Sequence, residues 1–77
     1  MKKLIADRIR QLRSDRRLTQ RDVAALINVN PLTYKGYEYC RSEIPIFYLM
    51  RILDLFNVSL DYLTGRTNKK EDFHEDQ

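Results

Sequence analysis

The sequence predicts an all-α domain of five helices, in which the second and third are short and joined by a tight turn. Three observations carry that expectation. Apolar residues recur at helical spacing rather than in alternation. Residues that start and stop helices stand between the apolar groups. Two glycines and two prolines among 77 residues, with 43% apolar side chains, suit a packed helical body and not a disordered chain or a glycine-rich sheet. A chain of this length buries one modest core, so one domain is expected and a second is excluded.

Leu4, Ile5, Ile9 and Leu12 make one face of a first helix over about residues 3–16, with Arg8, Arg10 and Arg13 between them. Leu18 is a core anchor ahead of the next start. Thr19 with Asp22 three residues on resembles a capping box, with Asp in place of the longer Glu or Gln. Val23, Ala24 and Ile27 form the buried face of the second helix. Asn28 stands where the chain needs a left-handed residue, a conformation that Asn tolerates better than most. Asn30 caps the third helix, and Pro31 takes its first position, where a missing backbone donor costs nothing. Tyr34 and Tyr37 share its packing face. Gly36 lowers its helix propensity by about 1 kcal/mol, which packing must offset. After a connection over residues 39–45, Pro45 opens a fourth helix through Phe56, with Ile46, Leu49, Met50, Ile52, Leu53 and Phe56 on its core side. Asn57 is a further turn signal. Ser59 caps a short fifth helix carrying Leu60 and Leu63, and Gly65 ends it.

The net charge of +3 hides an asymmetry. Residues 1–70 hold all 14 Lys and Arg against seven acids, and residues 71–77 add four acids and no Lys or Arg. Arg8, Arg10, Arg13, Arg16 and Arg17 fall within one ten-residue stretch. Such a body attracts a polyanion through its field and through counterion release, although the same basic character also serves plain solvation. The single Cys40 cannot form an internal disulfide, which fits a cytoplasmic protein stabilised by packing. The start Met1-Lys2-Lys3-Leu4-Ile5-Ala6-Asp7-Arg8 lacks an unbroken apolar run, so neither a signal peptide nor a membrane span is expected. No spaced set of Cys, His and carboxylates points to a metal site, and the lone His74 stands among acidic residues. Cys40 has no basic partner that would make it a nucleophile. With no catalytic constellation and no cofactor cleft, an enzyme is the least favoured class.

Two short helices joined at Asn28-Val29-Asn30 can lay the first across a DNA backbone and the second in the major groove. A generic helical hairpin has the same periodicity, so the rest of the chain must separate the two. It contains Ile5-x-x-Arg8-Ile9-x-x-Leu12-Arg13, then Leu18-Thr19-Gln20-x-x-Val23-Ala24-x-x-Ile27-x-Val29-Asn30, then Tyr37-Glu38. It closes with Ile46-x-x-Leu49-Met50-x-Ile52-x-x-x-Phe56-Asn57-Val58-Ser59-Leu60-Asp61-Tyr62-Leu63-x-Gly65-Arg66-Thr67. Over residues 4–67 this pattern resembles the Cro and lambda-repressor family of helix-turn-helix regulators. The resemblance implies a five-helix, lambda-repressor-like DNA-binding domain over residues 1–67, with the helix-turn-helix at helices 2 and 3, and a flexible acidic tail over residues 68–77.

By position in that family, Gln20 bonds a phosphate and braces the recognition helix, a task that suits a neutral amide able both to donate and to accept. Otherwise it is a surface residue beside the capping Thr19. The resemblance implies further phosphate contacts from Thr19, Arg21, Asn30, Thr33 and Arg41, and base-edge positions at Pro31, Leu32, Lys35 and Gly36. Relatives with strong base readout often carry Gln, Arg, Ser or Asn at such positions. Here Lys35 is the one strong charged donor for guanine acceptors, and Leu32 offers contact with a thymine methyl. Direct readout is therefore expected to be sparse. Leu32 has the alternative of packing against its own domain, and Lys35 that of attracting phosphate alone. Arg13 and Glu38 match positions that form a salt bridge in some relatives, one worth little if exposed. Cys40 stands where relatives commonly have Gly. A left-handed backbone there would strain it, and any other backbone would reshape the loop that presents Arg41.

Tyr48 and Leu55 align on the fourth helix and widen its apolar stripe past Ile52, while Phe47 points elsewhere. With Tyr62 they are the expected contacts of a homodimer, unless they pack down over Leu60, Leu63 and the tail. The expected function is sequence-specific binding of double-stranded DNA by a small transcriptional regulator. Repression is the simpler outcome, because the short chain leaves no room for a ligand-sensing or activating domain. Its place would be the cytoplasm of a prokaryote, on the nucleoid when bound, and its origin the host or a phage. The alternative is a protein-interaction module, such as an antitoxin or a phage-derived binding protein, motivated by the weak base-reading face and the apolar fourth helix. No cofactor, small-molecule ligand or membrane is expected as a partner.

Overall fold

The computed structural model describes residues 2–70. Among them are five helices and no strand: α1 Lys2–Asp15, α2 Gln20–Leu26, α3 Pro31–Glu38, α4 Ile46–Phe56 and α5 Leu60–Leu63. Local chemistry starts most of them. Thr19 and Asp22 close a reciprocal capping box, the Asp22 N–H donating to Thr19 Oγ1 at 3.0 Å and the Thr19 N–H to Asp22 Oδ2 at 2.8 Å. Asn30 Oδ1 accepts the Leu32 N–H at 2.8 Å, with Pro31 at the first helical position. Ser59 Oγ accepts the Tyr62 N–H at 3.0 Å. α4 follows Pro45 without a side-chain cap.

Every one of these helices ends by the same device. A residue with positive φ follows it: Arg17 at 58°, Asn28 at 64°, Cys40 at 61°, Asn57 at 55° and Gly65 at 84°. The next N–H then reaches back to a carbonyl five residues earlier, from Leu18 to Arg13 (3.1 Å), Val29 to Ala24 (2.9 Å), Arg41 to Gly36 (2.8 Å), Val58 to Leu53 (3.1 Å) and Arg66 to Asp61 (2.8 Å). These bonds satisfy helix-end carbonyls that would otherwise lack a partner. Asn28, Asn57 and Gly65 suit the left-handed conformation, whereas Arg17 and Cys40 adopt it with a Cβ in an unfavourable place. Gly65 has a second reason, since a Cβ there would lie 2.5 Å from Leu4 Cδ2.

The core joins Ile9 and Leu12 of α1, Val23 and Ala24 of α2 with Ile27 at its end, Tyr34 and Tyr37 of α3, Ile52, Leu53 and Phe56 of α4, Val58, and Tyr62 and Leu63 of α5. Arg8 and Arg10 of α1, and Arg16 just after it, are structural. Arg10 donates to the Glu38 carbonyl at 3.1 Å, Arg16 to the Leu55 and Phe56 carbonyls at 3.0 and 3.1 Å, and Arg8 to the Tyr62 carbonyl. Each thus places a cation against the carboxyl-terminal end of another helix, where the exposed carbonyls and the helix dipole favour it. The basic run read from sequence as a polyanion attractor is largely engaged inside the fold.

Arg8 also donates to the Thr67 carbonyl at 3.1 Å and to the Asn68 side chain at 2.9 Å, and the Ser59 N–H donates to the Lys70 carbonyl at 2.9 Å. Residues 67–70 therefore run back against the body, although the expected tail begins at residue 68. The remainder of that tail, residues 71–77, lies outside the described residues.

Two expectations for apolar residues need correction. Ile46, Phe47 and Met50 are 65%, 57% and 48% exposed, so the core side of α4 does not include Ile46 or Met50. At about 100° per residue, Leu49, Ile52, Leu53 and Phe56 share one sector, while Met50 and Phe47 stand about 110° and 170° from its centre. Ile46 is angularly nearer but sits in the first turn, ahead of the buried residues. Tyr62, expected at a dimer contact, is buried, with the Arg8 guanidinium stacked on its ring at 4.3 Å. Tyr48 and Leu55 are half-buried, Leu55 against the core and Tyr48 edge-on to Phe47 at 5.2 Å.

What holds α3 in place is Glu38, the one charged residue buried among the described residues. Arg13 Nε and Nη2 donate to its two carboxylate oxygens at 2.7 and 3.2 Å, Gln20 Nε2 donates to Oε1 at 3.0 Å, and the Tyr34 hydroxyl donates to Oε2. The salt bridge expected from sequence is therefore buried and shared among α1, α2 and α3. Burial by itself would raise the Glu38 carboxyl above its ordinary 4.5, but the hydrogen bonds from Arg13, Gln20 and Tyr34 outweigh it and hold the group below that value. Burial, and then Glu38 itself, push the Tyr34 phenol far up, so it remains a donor at all ordinary pH.

Two outcomes follow from this geometry. Glu38→Gln leaves one acceptor oxygen where two are used and turns an amide donor toward other donors. It should lower stability at neutral pH by about 2 kcal/mol, as for loss of a hydrogen bond to a charged group, measured by denaturant unfolding. Because the folded carboxyl binds its proton less readily than the unfolded one, its stabilisation is complete above the ordinary value of 4.5 and disappears as pH falls through the folded value. The melting temperature of the parent should thus fall more steeply than that of Glu38→Gln below about pH 4.5, and parallel acid limbs would refute this account. Cys40→Gly should raise the unfolding midpoint by about 1 kcal/mol equivalent at unchanged slope by relieving the left-handed penalty. An unchanged or lowered midpoint would show that the turn is not strained.

Candidate nucleic-acid interface

The start of α2 and the outer side of α3 face one open concavity of about 630 Å³, lined by Thr19, Gln20, Arg21, Asn30, Pro31, Leu32 and Lys35. Its lining includes two cations and no carboxylate. α2 is tied to α3 by apolar packing and by the Gln20 to Glu38 bond, so the two helices present this surface as a unit.

Each predicted phosphate-contact residue keeps a donor, but not always the expected one. Thr19 accepts the Asp22 N–H and gives its own N–H to Asp22, which leaves its hydroxyl hydrogen. Gln20 is a donor to its bracing neighbour, where the sequence reading had it accept. Of its two amide hydrogens one goes to Glu38, and the other is left for a ligand. Asn30 uses its carbonyl oxygen as the α3 cap and retains its amide. Arg21 and Thr33 are exposed. Arg41 is exposed beyond α3, its guanidinium 5.5 Å above the ring centre of Tyr39.

Among the base-edge positions, Pro31, Leu32 and Lys35 are exposed and Gly36 is buried. Leu32 is 70% exposed, which removes the alternative that it packs on its own domain. Gly36 does face away from the core, but the connection after α3 folds back over it. Its carbonyl accepts the Arg41 and Ser42 N–H groups at 2.8 and 3.4 Å, and a Cβ there would lie 3.1 Å from Ser42 Oγ. Gly36 is therefore withdrawn from the base-edge set and leaves room for the loop that carries Arg41. The left-handed Cys40 completes that loop, so the backbone strain expected of a non-glycine residue there is present.

Sequence reasoning missed Tyr39, which is half exposed and seven residues after Leu32 on the same outward side. That spacing was available as a signal. It also missed Tyr34 and Gln20 as partners of Glu38: Tyr34 stands four residues before Glu38 on the same helix, a spacing that neighbours share, whereas Gln20 is 18 residues away and no local pattern links it.

Among the described residues, no three His, Cys, Asp or Glu side chains come together as a metal site, and no helix is long and apolar enough to cross a membrane. A family model described as "Helix-turn-helix" matches residues 9–63. The uncharacterized HTH-type transcriptional regulator YobD of Bacillus subtilis (strain 168) is 34% identical over 65 residues, an alignment that covers 84% of this chain and 58% of that relative. The chain thus spans little more than half the length of the relative it matches. No solved structure matches it. With α2 and α3 packed as one unit inside residues 9–63 and the donor-lined surface between them, the chain belongs to the Cro and lambda-repressor type of helix-turn-helix family, whose members are non-catalytic DNA-binding transcriptional regulators.

Proposed function

We propose that this domain binds duplex DNA sequence-specifically, with α3 in the major groove and the start of α2 against the phosphate backbone, and that it acts as a repressor by occupying promoter DNA on the nucleoid. One observation carries the reading: exposed Pro31, Leu32 and Lys35 on α3 stand beside Thr19, Gln20 and Arg21, around a concavity whose lining has cations and no carboxylate. Phosphate contacts from Thr19, Gln20, Arg21, Asn30, Thr33 and Arg41 set register and orientation, and carry no sequence information themselves. Lys35 donates to guanine O6 and N7. DNA deformability supplies part of the remaining selectivity.

Two copies bind half-sites roughly 34 Å apart, one helical turn of DNA. The contact surface differs from the one expected from sequence. Tyr62 is buried, and the exposed apolar side chains of α4 are Ile46, Phe47 and Met50. This same exposed face supports the second reading, a protein-interaction module such as an antitoxin.

Gel retardation of random duplexes separates the two readings. Binding should be measurable at low salt and fall steeply as salt rises. A folded protein that retards no duplex at low salt excludes the DNA reading and favours the interaction module. Gln20→Ala should weaken binding roughly tenfold on all sequences. Lys35→Ala should instead reorder affinities within a randomised library, and uniform losses would assign Lys35 to phosphate alone. Sedimentation should find a dimer that Phe47→Glu dissociates, and a monomer at every concentration would remove pairing from the mechanism.

A further inference from the structure

We infer that Leu32 and Pro31 form a reading site for the C5-methyl group of a pyrimidine in the major groove, so that thymine and 5-methylcytosine satisfy it equally and cytosine does not. This deepens the duplex-binding reading above and rests on it. Leu32, at 70% exposure, is the most exposed large apolar side chain among the described residues. It does no packing in the free domain, although it occupies the leading turn of the helix best placed to enter a groove.

The donors at that end of α3 are already committed. Pro31 has no N–H, and the Leu32 N–H is held by Asn30 Oδ1 at 2.8 Å. Holding an anion with free backbone amides, the usual capacity of a helix start, is therefore closed at these two positions. What remains is a pyrrolidine ring and an isobutyl group. In the major groove, the base-edge feature of matching chemistry is the methyl at C5 of thymine.

Leu32 carries no donor or acceptor in its side chain, so it cannot distinguish the thymine O4 from the cytosine N4 beside that methyl. Only the methyl is sensed. A 5-methylcytosine puts the same group on the same ring atom and is bound in the same way. Lys35, three residues further on the same side, adds a charged donor for a neighbouring guanine. Enzymatic methylation of cytosine at C5 would thus strengthen binding to sequences that carry a cytosine at this position.

The test uses duplexes selected by the full chain from a random library of natural bases. Each thymine of the selected site is resynthesised in turn as deoxyuridine opposite A, and as cytosine or 5-methylcytosine opposite G. At one position per half-site, loss of the thymine methyl should weaken binding about fourfold, the value of one buried methylene-sized group. Adding the methyl to cytosine should strengthen binding by a similar factor. Leu32→Ala should erase both differences while keeping salt-dependent duplex binding, and circular dichroism checks that this exposed-site variant is folded. Equal affinity for thymine and deoxyuridine at every position, with binding retained, overturns the methyl site and leaves duplex binding intact. A thymine effect without a 5-methylcytosine effect also overturns it, because the methyl is then sensed only beside the thymine O4 and not by itself. Methyl effects that persist in Leu32→Ala remove the assignment to Leu32. Failure to bind any duplex at low salt overturns both the methyl site and the reading beneath it.

Discussion

A buried carboxylate sets where the recognition helix lies. Glu38 is 1% exposed and accepts hydrogen bonds from Arg13 of α1, Gln20 of α2 and Tyr34 of α3 itself. A charge taken out of water is tolerable only when its partners are present in good geometry. All three helices must therefore meet at this point together, and a shift of α3 along or about its axis would break donors on two sides at once. The constraint acts at the last residue of α3, whereas Pro31, Leu32 and Lys35 lie toward its start. An anchored carboxyl-terminal end and an outward-facing leading end make α3 a fixed projection from the body. Gln20 joins the anchor to the surface, since the amide that holds Glu38 has a second hydrogen facing the concavity side of α2.

The same economy governs α1. The arginines from Arg8 to Arg17 read in sequence as a cationic stretch, yet Arg8 and Arg10 of α1 and Arg16 just beyond it each point at the end of a different helix. Helix ends leave carbonyls without partners, and a guanidinium with five donors answers several at once. Their charge still adds to the long-range field that draws a polyanion inward. Several of their donors, however, are already engaged within the fold.

The recognition face is correspondingly lean. One ammonium, one threonine hydroxyl and two apolar side chains stand exposed along α3, with Tyr39 and Arg41 just beyond it. Where donors are few, register comes from phosphates and selectivity from apolar fit and from the ease with which a sequence adopts the bound shape. The exposed side chains of α4, Ile46, Phe47 and Met50, lie outside its core-facing stripe, with Phe47 nearly opposite it. Reading DNA and meeting a second macromolecule can thus proceed on different elements.

Much of this was legible in the residues alone. The five helices, their caps at Thr19, Asn30 and Ser59, the left-handed turns at Asn28 and Asn57 and the buried faces of α1 and α2 depend on neighbours within about a turn or two of chain. Periodicity and cap chemistry report such contacts directly. The burial of Gly36, the covering of Tyr62 and the exposure of Ile46 and Met50 were decided by tertiary structure. So were the Arg13 and Gln20 donors on Glu38 and the helix-capping arginines, whose partners stand between 18 and 54 residues away in sequence. No window of local pattern contains such pairs, and side chains with several rotatable bonds and several donors find partners only once the helices have packed. Sequence determined which segments are helical and which pair forms the reading unit, because those are local matters of backbone and periodicity. Tertiary structure decided which polar groups remain free to touch DNA, because a donor already used to hold the fold is not available to a ligand.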